Sequence, residues 1–315
     1  MNKFLSKKSN QYQNQNWNEA PHLKLEDQEI HLNQEMDKIL KQFFIQFSNT
    51  MNNHFQKDDL IIFYNNINHL TISYNTFKHS IFKKYAIAYY NKKTNEIKVD
   101  KTYLSTAIFH ELLHMSSCIY KDGISYSGFY QLSDDYTLDL GLGINEGYTE
   151  LLNRRYFHYD EQFKSGYQLE IKIVEKLEEV IGKNKMEKLY LSANLPGLIA
   201  ELKQYSKEEE IIEFISNIDF ITKHLDDLFG KIMLPKVLNN INQFLIKIYS
   251  EKLVIHHQEY SNEQIITEIY HYVSSLDSIQ IIGETNYKTL LSEKDILKCI
   301  ETTIGKNLIL KKSNK

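Results

Sequence analysis

Residues 106–118 read TAIFHELLHMSSC, and within that string His110, Glu111 and His114 could carry metal chemistry. On a helix, positions four apart stand one turn above each other on the same face. Both imidazoles could therefore reach one Zn2+ at about 2.0–2.1 Å. Glu111 follows the first histidine, placed to meet a metal-bound water as a catalytic base and not the metal itself. Leu104, Ile108, Leu112 and Met115 fall on the other side of that helix. The pattern predicts an amphipathic element, wet along the histidine face and dry behind it. A surface helix could also carry two stacked histidines without any ligand, so the rest of the chain must supply what they lack.

A second acidic string lies downstream, Gly143-Ile144-Asn145-Glu146-Gly147-Tyr148-Thr149-Glu150. Two histidines leave a catalytic zinc one protein ligand short, and a carboxylate from a neighbouring helix would complete a His2Glu site with one open position. Glu146 and Glu150 are four apart and share a helical face. Ile144, Tyr148, Leu151 and Leu152 supply a core face opposite them. Gly147 would let the two metal-bearing helices approach closely. Asp134, Asp135 and Asp139 are alternative third ligands, and Glu150 could instead pair with Arg154 one turn on.

The two strings together resemble the gluzincins, the thermolysin-like zinc peptidases, in which His-Glu-x-x-His is followed by an Asn-Glu-x-x-x-Asp type helix. The resemblance covers about residues 85 to 157. It implies His110, His114 and Glu146 as zinc ligands, with Glu150 orienting His110 through its free ring nitrogen. Two features depart from the family: Glu150 stands where an Asp is usual, and the step from His114 to Glu146 is longer than in thermolysin. The implied fold is a zincin-like catalytic unit with a small sheet and two metal-bearing helices. The implied cofactor is Zn2+ and the implied substrate a peptide or protein, held as an added strand by analogy with zincins in general.

Peptide hydrolysis also calls for an oxyanion donor beyond the metal. Tyr126, Tyr130, Tyr136 and His158 lie near the motifs, and Tyr136, just ahead of the Glu146 helix, is the favoured one. Two readings of another class stay open. One is a catalytically retired zincin scaffold with a binding or structural role; the other is a secreted protease effector.

Elements must carry these residues. The segment YAIAYYNKKTNEIKVD, 85–100, holds two β-prone runs, Ala86–Tyr90 and Glu96–Val99, around a polar stretch, which predicts a hairpin. A helix should follow from about Lys101 to Ser117. Tyr120–Leu140, rich in Gly, Ser and Asp, reads as loop with one short strand at Phe129–Leu132. A second helix should run from near Gly143 to Phe157. Upstream, apolar spacing predicts a helix over Asn33–His54, a shorter one capped by Asp58 and Asp59, and a strand at His69–Tyr74.

Everything after Gly166 reads as helix: Tyr167–Ile181, Met186–Leu191, Lys207–Ile215, Ile218–Phe229, Leu234–Leu253, Asn262–Val273 and Ser292–Ile304. The expected class is α+β, with a flexible polar arm over 1–30, a zincin-like domain over 31–165 and a helical lobe over 166–315. Arg154 and Arg155, the only arginines, read as a clamp for a substrate carboxylate or as cations closing a helix C-terminus.

Composition narrows the classes. With 42% hydrophobic and 25% charged residues the chain is an ordinary globular sequence, and 3 prolines with 11 glycines favour long helices. A net charge of -4 argues against a nucleic-acid partner. No run of about eighteen apolar residues occurs, so no membrane partner is expected. The polar start lacks the apolar run of a Sec-type signal. Cys118 and Cys299 read as reduced thiols, and the expected location is cytoplasmic, export without a cleaved signal leaving no mark. Oligomeric state is not legible.

Overall fold

The computed structural model describes residues 38–74, 87–157, 167–257 and 259–274. The polar arm, Ala86, His158, Cys299 and the expected helix at Ser292–Ile304 lie outside the described residues. Among the described residues the protein is mixed α+β, about 69% helical with small sheets.

Helix α1, Lys38–His54, buries Leu40, Phe44, Phe47 and Met51, while Ile39, on the expected apolar stripe, is exposed. Asp58 and Asp59 do not cap a helix from outside: they sit inside a 3-10 turn, Lys57–Leu60, that leads into α2, Ile61–Ile67. Strands β1 (Thr71–Tyr74), β2 (Ala88–Asn91) and β3 (Glu96–Val99) form one sheet in the order β1-β3-β2. β3 runs parallel to β1 and antiparallel to β2, with Tyr90 opposite Ile97. The expected hairpin is present, and β2 is an edge strand among the described residues.

The chain then enters α3, Leu104–Ser116. Leu104, Ile108, Leu112 and Met115 are buried, as the amphipathic pattern requires. The opposite face is drier than expected, since β2 and the next long helix pack over it. Glu111 is only 8% exposed and His114 9%.

Residues 118–140 correct the expectation of a loop. They form an antiparallel meander, β4 (Cys118–Lys121), β5 (Ile124–Ser127), β6 (Tyr130–Ser133) and β7 (Asp139–Leu140). Asp122 and Gly123, at φ 52° and 76°, both take the left-handed conformation that a two-residue type I′ hairpin demands. An Asp-Gly pair between β-prone runs was the local signal for that turn. The small and polar residues here punctuate strands and do not replace them.

Next comes α4, Leu142–Phe157, close to its expected span. The helices that follow are α5 (Gln168–Ile181), α6 (Lys183–Leu191), α7 (Leu195–Leu202), α8 (Glu208–His224), α9 (Leu228–His256) and α10 (Asn262–Ser274). α7 was not read from its sequence, although Asn194 accepts from the Gly197 N–H at 2.7 Å and Pro196 occupies the first turn. The two helices expected over Lys207–Phe229 are one, α8. Its polar pair Ser216–Asn217 does not break it, and Asp227 caps α9 through the Gly230 N–H.

One continuous apolar core runs through both halves, joining Leu112, Ile144 and Tyr148 to Leu169, Val174, Ile215 and Ile218. Among the described residues no helix is long and apolar enough to cross a membrane.

Candidate metal centre

α3 and α4 bring three donor atoms together. His110 Nε2 lies 3.0 Å from His114 Nε2 and 3.2 Å from Glu146 Oε2, and His114 Nε2 lies 3.4 Å from the same oxygen. Zinc bonds of about 2.0–2.1 Å directed at tetrahedral corners place ligand atoms about 3.3 Å apart. The three separations fit three corners of such a site. His110 Nδ1 faces Glu150 Oε2 at 3.1 Å, which draws the ring proton outward and turns the Nε2 lone pair toward the cluster.

The electrostatics favour positive charge at this spot. Burial alone would lower the His110 pKa, yet its hydrogen bonds to Glu146 and Glu150 lift it to about 10. Burial likewise works to raise Glu146, but His114 and His110 hold it well below the usual carboxylate range. Glu150 behaves the same way, burial being outweighed by the His110 hydrogen bond. Two imidazole nitrogens and a carboxylate oxygen in mutual contact form a set that a cation satisfies.

Neighbouring residues hold the ligands in place. The Asn145 side-chain amide, 1% exposed, faces His114 Nδ1 at 3.4 Å, and its Oδ1 accepts from the Phe129 N–H at 3.2 Å. Asp219 of α8 anchors the start of α4: its two carboxylate oxygens accept from the Gly141 and Gly143 N–H groups at 2.8 Å each. Those donors have no partner within the helix. Gly141, at φ 92°, passes so close to Phe129 that a Cβ would stand 1.9 Å from its carbonyl oxygen. Gly147 does permit a close approach, but to α5 and not between α3 and α4. A Cβ there would meet the Glu170 backbone at 2.7 Å.

A cleft of about 470 Å3 opens on the cluster, bounded by β2, the Lys92–Lys93 turn, Glu111, Tyr130 and Tyr167. Burial raises the Glu111 pKa, against the pull of both imidazoles and of the Tyr90 backbone N–H. The Tyr167 ring lies parallel to that of His110, 6.0 Å between centroids, and its hydroxyl interacts with Glu146. The Glu146 charge, then burial, raise the Tyr167 pKa, so the phenol keeps its proton. The Tyr130 hydroxyl donates to Asp139 at 3.2 Å and that of Tyr90 to Asn95 at 2.9 Å.

Not every candidate from the sequence arrives here. Tyr136 occupies the turn between β6 and β7, 72% exposed, and does not line the cleft; its left-handed φ of 58° serves the turn. Tyr126 packs with Ile62 and Ala193. Asp134 pairs with Lys93 at 2.8 Å, Asp135 accepts from Ser133 at 2.6 Å, and Asp139 pairs with Lys223 at 2.8 Å. None of the three joins the cluster.

Arg154 bonds Glu150 one turn back at 3.5 Å, while Arg155 ties α4 to Glu178 and Glu187 at 2.6 and 3.0 Å. Neither arginine lines the cleft. The Cys118 thiol is buried and pushed up to about 11. Sequence reasoning missed Asn145, Tyr167 and Asp219. Only Asn145, next to Glu146, carried a local signal.

No protein-family model, no curated protein and no solved structure matches the chain.

Proposed function

We propose that the chain is a zinc-dependent peptidase with a zincin-like catalytic unit, its metal held by His110, His114 and Glu146 and its general base Glu111. The observation that carries this reading is the set of three donor atoms at tetrahedral spacing, backed by Glu150 on the outer nitrogen of His110. When bound, Zn2+ would supply Lewis-acid polarisation of the scissile carbonyl and a lowered pKa for water.

The chain's own residues do the rest. Glu111 is ionisable, lines the cleft and is not among the cluster's three donors. It takes the proton of the attacking water and returns it to the leaving amine. Burial raises its pKa above that of an ordinary carboxylate, which helps a group that must both accept and give a proton. β2, an edge strand among the described residues, runs along the cleft, and a peptide added there as a strand would be held by main-chain hydrogen bonds. Tyr167, protonated and beside Glu146, is the donor we assign to the oxyanion in place of Tyr136.

The test combines metal analysis with an unbiased peptide-library digest. Wild type should hold about one zinc per chain and cleave a subset of peptides. Glu111→Gln should keep the zinc and lose hydrolysis by about 10²–10⁴-fold. Full zinc in a His110→Ala/His114→Ala variant would remove the metal assignment. Zinc binding without cleavage of any peptide would replace the enzyme with a retired scaffold.

A further inference from the structure

Lys92 is a cation in the cleft that makes no direct ion pair with an acid among the described residues, although Asp134 and Asp139 are near enough to attract it. It opens the turn after β2, lines the same cavity as the metal cluster and is partly buried. Its neighbour Lys93 pairs with Asp134 at 2.8 Å, and the other nearby acid, Asp139, is taken by Lys223 at 2.8 Å. What Lys92 does touch is the Tyr130 ring, with Nζ 5.5 Å from the centroid. A ring face is a weak partner for an ammonium compared with a carboxylate.

Burying a charge is costly unless it is paired. Here burial lowers the Lys92 pKa, the dominant effect on it. An ammonium that lines a substrate-sized cleft and has no direct carboxylate contact among the described residues is half of an ion pair.

We propose that Lys92 is a specificity residue that binds a carboxylate of the substrate within the cleft. The proposal rests on the cleft being the substrate channel of the preceding subsection. Its shared chemistry is a carboxylate, which an Asp or Glu side chain or a free peptide C-terminus can bring. A dianionic phosphate fits less well, because Glu111 and Glu146 line the same cavity and repel a second negative charge.

The experiment measures binding apart from cleavage. Fluorescein-labelled octapeptides, identical but for one position carrying Asp, Asn or Lys, are made with amidated and with free C-termini. Their affinities are measured by anisotropy against zinc-loaded Glu111→Gln protein, with Lys92 intact or changed to Met, Arg or Glu. Charge-assisted pairing should make the Asp or the free-terminus peptide bind about tenfold more tightly than its neutral twin. Lys92→Met should close the gap, Lys92→Arg should retain it, and Lys92→Glu should reverse it toward the Lys peptide. The side-chain and amidation arms identify which carboxylate is read.

A gap that is absent in the Lys92 protein, or that survives in Lys92→Met, overturns the proposal. Loss of folding in the Met variant would leave Lys92→Arg and Lys92→Glu to decide it. Lys92-dependent discrimination with no hydrolysis by wild type would sink the peptidase reading alone. Hydrolysis indifferent to carboxylates would sink this proposal alone.

Discussion

Asp219→Asn isolates a charge by which the helical half of the chain holds the start of α4. Asp219 is 4% exposed and accepts from the Gly141 and Gly143 N–H groups at the start of α4. Burial raises its pKa from the ordinary 3.8 to about 6, although both N–H groups and Lys223 pull it down. The folded protein therefore favours the protonated acid more than the unfolded chain does. Its contribution to stability is full below the unfolded value and is lost as pH rises through the folded one. The whole gap is worth about 3 kcal/mol, of which about 2 kcal/mol falls between pH 4 and pH 7.

The amide carries no charge and keeps one acceptor oxygen, so it leaves one N–H unanswered at a cost of about 1–3 kcal/mol that does not change with pH. Urea unfolding of both proteins at half-unit steps from pH 4 to 7 separates the two effects. The difference in unfolding free energy between variant and wild type should move by about 2 kcal/mol in the variant's favour as pH rises. Two parallel stability curves would show that Asp219 carries no net burial penalty, and the account of how α8 holds α4 would have to be rebuilt.

Two further changes probe the site itself. Glu150→Ala takes the partner from His110 Nδ1 and should weaken zinc affinity by about 10–100-fold with the fold retained, while Asp134→Ala should leave it unchanged; equal losses in a zinc titration would favour the loop as ligand source. Tyr167→Phe should lower kcat by about 10²-fold with KM nearly constant, and Tyr136→Phe should alter neither; steady-state kinetics on one cleaved peptide decides between the two tyrosines.

What could be read from the sequence was what is local along the chain. His110 and His114 are one turn apart, Glu146 and Glu150 likewise, and a helix converts such spacing directly into a shared face. Asp122-Gly123 was equally local and was passed over, because the surrounding Ser and Gly residues resemble loop composition; the left-handed pair at φ 52° and 76° shows the turn they make. The two helices expected over Lys207–Phe229 left Ser216 and Asn217 between them. Asn217 is in fact buried in a continuous helix.

Asp219 belongs to another category. Its bonds reach 78 and 76 residues back, to glycines whose N–H groups nothing nearby in the chain could answer. A cap delivered from a distant helix leaves no period and no motif, only an acidic residue on what would otherwise be an apolar face between Ile218 and Ile221. The same distance bears on the boundary expected at residue 166. The apolar face of α4 at Ile144 and Tyr148 packs into a core shared with Leu169, Val174 and Ile215. Arg155 is bonded to Glu178 and Glu187 from beyond that boundary. A chain ending at 166 would keep His110, His114 and Glu146 and lose the cap, much of the core and the ion pairs that fix α4.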